Sequence, residues 1–128
     1  MFRKSQIGMR KVFLVHGIVE IIGGIIVIFK PEFLLGSIDH TPASITVSKL
    51  FGILAFAFGI IGYLSYKYFD ESEFYRKVGL VFMAYHLVIG FQSYAAFSTG
   101  IMSHLGAMVI HFALAGLFFL VYLREGKK

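Results

Sequence analysis

The chain has 128 residues, of which 58% are hydrophobic and only 15% are charged, against about 25% charged in soluble proteins. Its formal net charge is +5, but the basic residues lie at the ends of apolar segments rather than in one patch, so we do not expect nucleic acid as a partner. The absence of cysteine excludes disulfides, thiolate metal sites and cysteine nucleophiles.

The first apolar segment, residues 12–29, is predicted to be a transmembrane helix. It is apolar apart from His16 and Glu20, and as a helix it rises roughly 27 Å, close to the ~30 Å hydrocarbon core of a bilayer. Basic residues precede it, as in a signal peptide, but Lys30 and Pro31 follow it instead of a small-residue cleavage site. We therefore expect this helix to be retained in the membrane.

Three further apolar segments complete the pattern, at residues 45–66, 74–97 and 101–123. The second has no ionisable residue in its interior and carries small residues on one stripe, so we expect it to serve helix packing; these residues are Gly52, Ala55, Gly59 and Gly62. The polar loop at residues 31–44 is long enough to cap the bundle. The sequence predicts one transmembrane domain, residues 1–128, folded as an all-α, four-helix, up-down bundle.

The distribution of lysine and arginine predicts the orientation of the bundle. Ten of the twelve basic residues lie at the N-terminus, between helices 2 and 3, and at the C-terminus; Lys30 and Lys49 lie on the other side. Because cytoplasmic loops carry an excess of basic residues, both termini are expected to be cytoplasmic. The expected location is the inner membrane of a bacterium.

Two polar residues reach the same predicted depth. Glu20 lies nine residues beyond Lys11 and His86 lies nine beyond Lys77, which places both roughly 13 Å below the basic anchors. Residues 11–24 also align without gaps on residues 77–90, with five identities, as in a tandem repeat of helical hairpins. We therefore predict that Glu20 and His86 approach each other inside the bundle.

The candidate ligand-binding residues are Glu20, His86, His111 and His16. His16 and Glu20 are four residues apart and share a helix face, and His111 falls within about one turn of the depth of Glu20. An ionisable residue at this depth is costly and often functional. The alternative for each residue is a purely structural role, with Glu20 kept neutral by burial and each histidine hydrogen-bonded between helices.

The same four residues are weak candidates for a metal site. Three imidazoles and one carboxylate suit zinc or iron, but no HEXXH motif is present and di-iron bundles need more carboxylates. Bis-histidine haem would require His86 to pair with a diagonal residue such as His16. The cofactor therefore stays open. No Ser–His–Asp pattern or phosphate loop supports hydrolytic or nucleotide chemistry, and whether the chain is an enzyme is also open.

Three stretches define the layout of the chain: HGIVEIIGG with the following FKPEFLL, then KLFGILAFAFG, then MAYHLVIGF. This layout resembles that of the DoxX-like small four-helix bacterial membrane proteins. The resemblance covers most of the chain and rests on the spacing of glycine, proline and apolar blocks. It implies the four-helix membrane fold. Some members are linked to quinone-dependent sulfur oxidation, but no catalytic motif carries over to this sequence.

Our leading functional expectation is a small integral membrane protein that binds a lipophilic or redox-active small molecule, such as a quinone-like ring. Glu20 and His86 would hydrogen-bond its polar end, while His111 and His16 would support them or relay protons. One alternative is a small proton-coupled transporter, and another is a non-catalytic accessory membrane subunit. The expected partners are the lipid bilayer, the small molecule, and a second copy or a partner subunit.

Overall fold

The structure is a computed structural model that describes residues 3–35, 40–70, 72–103 and 105–125, with side chains from residue 8 onward. These residues form four helices, α1 (Arg3–Phe29), α2 (Pro42–Lys67), α3 (Glu73–Ser98) and α4 (Gly106–Glu125), and a short 3-10 turn, Pro31–Phe33, follows α1. Each helix is long and apolar enough to cross a membrane. The predicted all-α, four-helix membrane bundle is confirmed.

Consecutive helices pack in pairs. α1 runs along α2, α3 runs along α4, and α1 also contacts α4 and, over a shorter stretch, α3. The first described residues of α1, the last described residues of α4 and the α2–α3 connection lie at one end of the bundle, which we term the termini end. The α1–α2 and α3–α4 connections lie at the other end, which we term the loop end.

Glycines bring the backbones of α1 and α2 into direct contact. A Cβ atom on Gly24 would lie 2.6 Å from both the Gly52 carbonyl oxygen and the Phe56 nitrogen, and one on Gly59 would lie 2.6 Å from the Ile21 nitrogen. No side chain fits in such a contact, so glycine is required at these positions. The predicted packing role is confirmed for Gly52, Gly59 and Gly62.

Two helices begin earlier than predicted. α1 begins at Arg3 rather than at residue 12, because lysine and arginine favour helix and can extend their charged ends out of the apolar layer. α2 begins at Pro42 rather than at residue 45. The Thr41 side chain accepts a hydrogen bond from the Ser44 N–H, and a proline suits the first turn because it lacks the N–H that would stay unpaired there.

The last helix begins later than predicted, at Gly106 rather than at residue 101. Gly100 has a φ of 77°, which ends the preceding helical path, and Met102 then forms an isolated antiparallel bridge with Leu35. The Ser103 N–H donates to the Leu34 carbonyl at 3.4 Å. The two connections at the loop end therefore contact each other. Residues 36–39 of the predicted capping loop lie outside the described residues.

The interior differs between the two ends of the bundle. The hydrophobic core lies toward the termini end and is rich in large side chains, namely Met9, Val12, Phe13, Phe82 and Phe118. The buried residues toward the loop end are Gly24, Val27, Pro31, Leu35, Ser48, Gly52, Gly90 and Ser93. The glycines among them leave no open space, because Gly24 and Gly52 lie against the backbone of the facing helix and Gly90 lies against the Phe112 ring. Large rings thus fill one half of the interior, while close helix packing fills the other.

Candidate functional site

The four predicted site residues lie together in the middle of the bundle. Glu20 Oε1 is 3.7 Å from His86 Nδ1 and 3.6 Å from His111 Nδ1. The other ring nitrogen of His86, Nε2, is 2.8 Å from His16 Nδ1. The predicted approach of Glu20 and His86 is confirmed. We term these four residues the His/Glu cluster.

The packing of α1 determines which of its faces carries the cluster. Gly17 and Gly24 lie against the α2 backbone, whereas His16 and Glu20 reach residues of α3 and α4. Gly62 of α2 leaves space for the imidazole ring, since a Cβ atom there would collide with His16. The close packing of α1 on α2 therefore holds the two polar side chains toward the other pair of helices.

The histidines form a hydrogen-bonded series whose direction is set by a backbone carbonyl. His16 Nε2 is 3.2 Å from the Phe58 oxygen, and because a carbonyl oxygen only accepts, His16 donates. With all three rings neutral, His86 Nε2 donates to His16 Nδ1 at 2.8 Å. His111 Nδ1 then donates to His86 Nδ1 at 2.9 Å. Each ring thereby has a defined tautomer, and His111 Nε2 is left unprotonated.

Glu20 is only partly satisfied. Its Oε2 accepts a hydrogen bond from the Tyr85 hydroxyl at 3.2 Å, whereas its buried Oε1 has no hydrogen-bond partner among the described residues. Tyr85 was not predicted as a site residue. It directly precedes His86 in the sequence. Consecutive residues do not lie on the same face of a helix, so a prediction based on shared faces does not include Tyr85. Tyr85 could have been predicted from its depth in the membrane, which differs from that of His86 by only one residue.

Burial restricts the charge states that the cluster can hold. His16 and His86 are 0% exposed and Glu20 is 3% exposed, whereas the His111 side chain is 14% exposed. A buried charge is costly unless it is paired. At this buried position the Glu20 side chain is therefore favoured as the neutral acid, or as the carboxylate when a cation lies beside it.

Aromatic rings enclose the cluster on its termini side. The ring centroids of His16 and Phe82 are 4.1 Å apart, and the His86 ring stacks on Phe118 at 6.0 Å. Phe58 of α2 stacks on Tyr85 with centroids 4.4 Å apart. We predicted a packing role for α2, but this helix also supplies a carbonyl acceptor and a ring to the site, which its apolar sequence did not indicate.

The geometry bears on both cofactor alternatives. A haem iron with two histidine ligands lies between the two coordinating nitrogens, whereas His16 Nδ1 and His86 Nε2 hydrogen-bond directly at 2.8 Å, which leaves no place for iron between them. Donor atoms of His16, Glu20 and His86 all lie within 4.8 Å of one another, so a metal ion fits the grouping more readily.

The comparisons with protein-family models, with curated proteins and with solved structures found no match to this chain. The resemblance to DoxX-like proteins stays a prediction.

Proposed function

We propose that this chain is a small bacterial inner-membrane protein that binds a lipophilic small molecule, of the quinone type, at the His/Glu cluster. The observation that carries the proposal is Glu20 Oε1, a buried oxygen without a hydrogen-bond partner among the described residues. Such an atom is costly in an apolar interior, and the polar end of a ligand would satisfy it.

The chemistry of the cluster suits a ring that exchanges protons. As the neutral acid, Glu20 donates a hydrogen bond to a ring carbonyl, and as the carboxylate it accepts one from a ring hydroxyl. It therefore suits both the oxidised and the reduced form of a quinone. The unprotonated Nε2 of His111, the most exposed histidine of the cluster, is a further acceptor.

The packing differs on the two sides of the cluster. Phe13, Phe82 and Phe118 occupy the termini side, whereas the loop side carries the buried Ser93 and the Phe112 ring, which lies against Gly90. Ligand sites in proteins combine an apolar lining with a few convergent polar groups. A ring on the loop side of Glu20 would meet this combination.

Ligand-dependent stability of the purified full-length chain tests the proposal. We expect its organic extract to contain a quinone-type lipid, and an added short-tailed quinone to raise the midpoint of thermal unfolding. A ligand whose free concentration is 100 times its Kd raises the free energy of unfolding by about 2.7 kcal/mol. Glu20→Gln should abolish most of this shift. The exposed Glu32→Gln, at the loop end, is the matched control and should retain it. An extract without quinone, together with no shift in the wild-type chain, would favour the accessory-subunit interpretation.

A second candidate function is proton-coupled transport. The observation that favours it is the series of hydrogen bonds from His111 through His86 to His16. The series ends on the Phe58 carbonyl, which does not carry a proton onward, so this candidate ranks second. Proton-gradient-dependent flux in proteoliposomes that is lost in Glu20→Gln and kept in Glu32→Gln would reverse the ranking.

A further inference from the structure

Three donor atoms from three helices form a triangle at the centre of the bundle, with one shorter edge and two nearly equal longer edges. His86 Nδ1 and His111 Nδ1 are 2.9 Å apart, and Glu20 Oε1 is 3.7 Å from the first and 3.6 Å from the second. The mean separation is about 3.4 Å. Donors in a tetrahedral zinc site, with bonds of about 2.0–2.1 Å, are separated by about 3.3–3.4 Å.

The triangle also has the correct radius for a metal ion. The centre of the triangle, in the plane of its three atoms, lies about 2.0 Å from each atom, and a slightly out-of-plane ion would keep zinc–nitrogen and zinc–carboxylate bond lengths of about 2.0–2.2 Å. Glu20 Oε1 is the one donor whose hydrogen-bonding capacity is unused, and Glu20 is only 3% exposed. A small cation at this point would satisfy Oε1 and would stabilise the charge of a buried carboxylate.

The neighbouring groups support the donors as they do in metal sites. A metal-binding histidine usually donates its other ring N–H to an acceptor, which fixes its tautomer and orientation. His86 donates its Nε2–H to His16 Nδ1 at 2.8 Å, and His16 in turn donates to the Phe58 carbonyl at 3.2 Å. Glu20 accepts at its second oxygen from the Tyr85 hydroxyl at 3.2 Å.

We infer that Glu20, His86 and His111 bind one divalent transition-metal ion of the zinc(II) or iron(II) class. Two imidazoles and one carboxylate select this class over magnesium and calcium, which prefer oxygen donors. Three protein ligands leave a coordination position open, as in catalytic zinc sites. The His16 ring belongs to the same grouping of donor atoms, but both of its nitrogens are used in hydrogen bonds, to His86 Nε2 and to the Phe58 carbonyl. His16 and Tyr85 are therefore positioning residues that do not contact the ion. The inference does not depend on a quinone-type ligand. With the ion on Glu20 Oε1, an oxygen of such a ligand would approach the open coordination position rather than Oε1 itself.

Metal binding has consequences for two protons. Because a coordinating carboxylate is deprotonated, Glu20 in its neutral acid form releases its proton to solvent when the ion binds. In the metal-free hydrogen-bond series, His111 carries its proton on Nδ1, because His86 Nδ1 accepts from it. Coordination through both Nδ1 atoms requires the lone pair of each, so the proton of His111 moves to Nε2. The tautomers of His16 and His86 stay unchanged. Nitrogen-15 spectra of the imidazole rings distinguish these states.

Cobalt(II) titration of the chelator-treated full-length chain, without a histidine tag, tests the inference. We expect one equivalent to bind and to produce the visible absorption bands of a four- or five-coordinate site. His111→Gln and Glu20→Gln should each weaken binding at least tenfold, while the exposed His40→Gln should leave it unchanged. Absence of saturable one-to-one binding by the wild-type chain would overturn the inference, and so would unchanged affinity in both cluster variants.

The wild-type chain supplies an independent readout should the variants fail to fold. Zinc should shift the Nδ1 resonances of His86 and His111 and move the His111 proton to Nε2, with the His16 tautomer retained. Imidazole resonances that stay at their metal-free positions in the presence of one equivalent of zinc would overturn the inference, whatever the variants do.

Discussion

Glu20 is the residue whose environment needs the most explanation. Insertion scales put the cost of an acidic residue at the centre of a membrane helix at about 2.5–3.5 kcal/mol. The bundle offsets part of this cost with the Tyr85 hydroxyl at one oxygen and two imidazole nitrogens within 3.7 Å of the other. Because Oε1 is left without a hydrogen bond among the described residues, the offset is incomplete in the protein alone. Binding of a ligand or an ion would complete it.

The Tyr85 hydroxyl should therefore matter for stability. Tyr85→Phe removes the donor to Glu20 Oε2, and we expect it to lower the free energy of unfolding by about 1 kcal/mol, the usual range for a buried hydrogen bond. Tyr94→Phe makes the same chemical change on the exposed side of α3 and should have an effect below about 0.5 kcal/mol. Denaturant titration of both variants in the same detergent provides the measurement. Equal effects would show that the hydrogen bond to Glu20 contributes nothing specific.

Part of the cluster is readable from the sequence, and part is not. Depth counted along the helices selects Glu20 and His86, because both follow a basic anchor by nine residues. The hydrogen-bond direction is not readable, since it depends on the Phe58 carbonyl, and every residue has a carbonyl group. Tyr85 was missed for a related reason: a neighbour in sequence lies about 100° around the helix, and only the actual packing shows which way it points.

At the scale of the helices, the α1–α2 pair is held by close backbone contact at glycines, with the Ile21 and Ile28 side chains of α1 packed against Gly59 and Gly52 of α2. Gly24 lies against Gly52 and Phe56, whereas the adjacent Gly23 has no described atom within 4 Å of its would-be Cβ. Lipid chains are as apolar as leucine, so close van der Waals packing is what favours association of membrane helices. The two adjacent glycines therefore provide a matched test of this packing.

Gly24→Ala should destabilise the bundle, and Gly23→Ala should not. The added methyl group of the first variant would lie 2.6 Å from backbone atoms that cannot move independently, and overpacking of this kind costs about 1–3 kcal/mol. The second variant should be neutral or should stabilise the chain by up to about 1 kcal/mol, because alanine favours helix over glycine. Thermal unfolding in detergent compares them. A destabilising Gly23→Ala, or a neutral Gly24→Ala, would contradict the packing described above.

The helix boundaries show where sequence reasoning is weakest. The apolar pattern predicted four helices correctly, but the start of α4 was predicted five residues early, because Ile101 and Met102 continue the apolar composition. The turn depends on the positive φ of Gly100 and on the bridge between Met102 and Leu35. That contact joins two connections more than sixty residues apart, so local composition does not indicate it.

At the scale of the whole molecule, the orientation in the membrane is the prediction on which the depth argument rests. The chain has no native cysteine, so single introduced cysteines report their own exposure. Ser103→Cys, in the connection at the loop end, should react with a membrane-impermeant reagent in intact cells, and Ser72→Cys, at the termini end, should not. Ser103 is preferable to Gly100, whose φ of 77° disfavours any side chain. The reverse labelling pattern would contradict the predicted cytoplasmic termini.

The central claim is that residues from different helices form one coupled polar site inside the bundle, and a double-mutant cycle between Glu20 and His86 tests it most directly. Replacing one partner leaves the other polar group buried, so Glu20→Leu and His86→Leu should each destabilise the chain, by up to about 3–5 kcal/mol. The double variant should be more stable than the sum of the two effects predicts, with a coupling energy of about 1–3 kcal/mol.

The control cycle pairs Glu20→Leu with Gln92→Leu, a change at an exposed position of the same helix α3, and it should be additive within about 0.5 kcal/mol. The measurement for all variants is the free energy of unfolding in one detergent. A coupling energy for Glu20 and His86 near 1–3 kcal/mol, beside an additive control, is the result predicted by the 3.7 Å approach of the two side chains. Strict additivity in both cycles would contradict the existence of a coupled site.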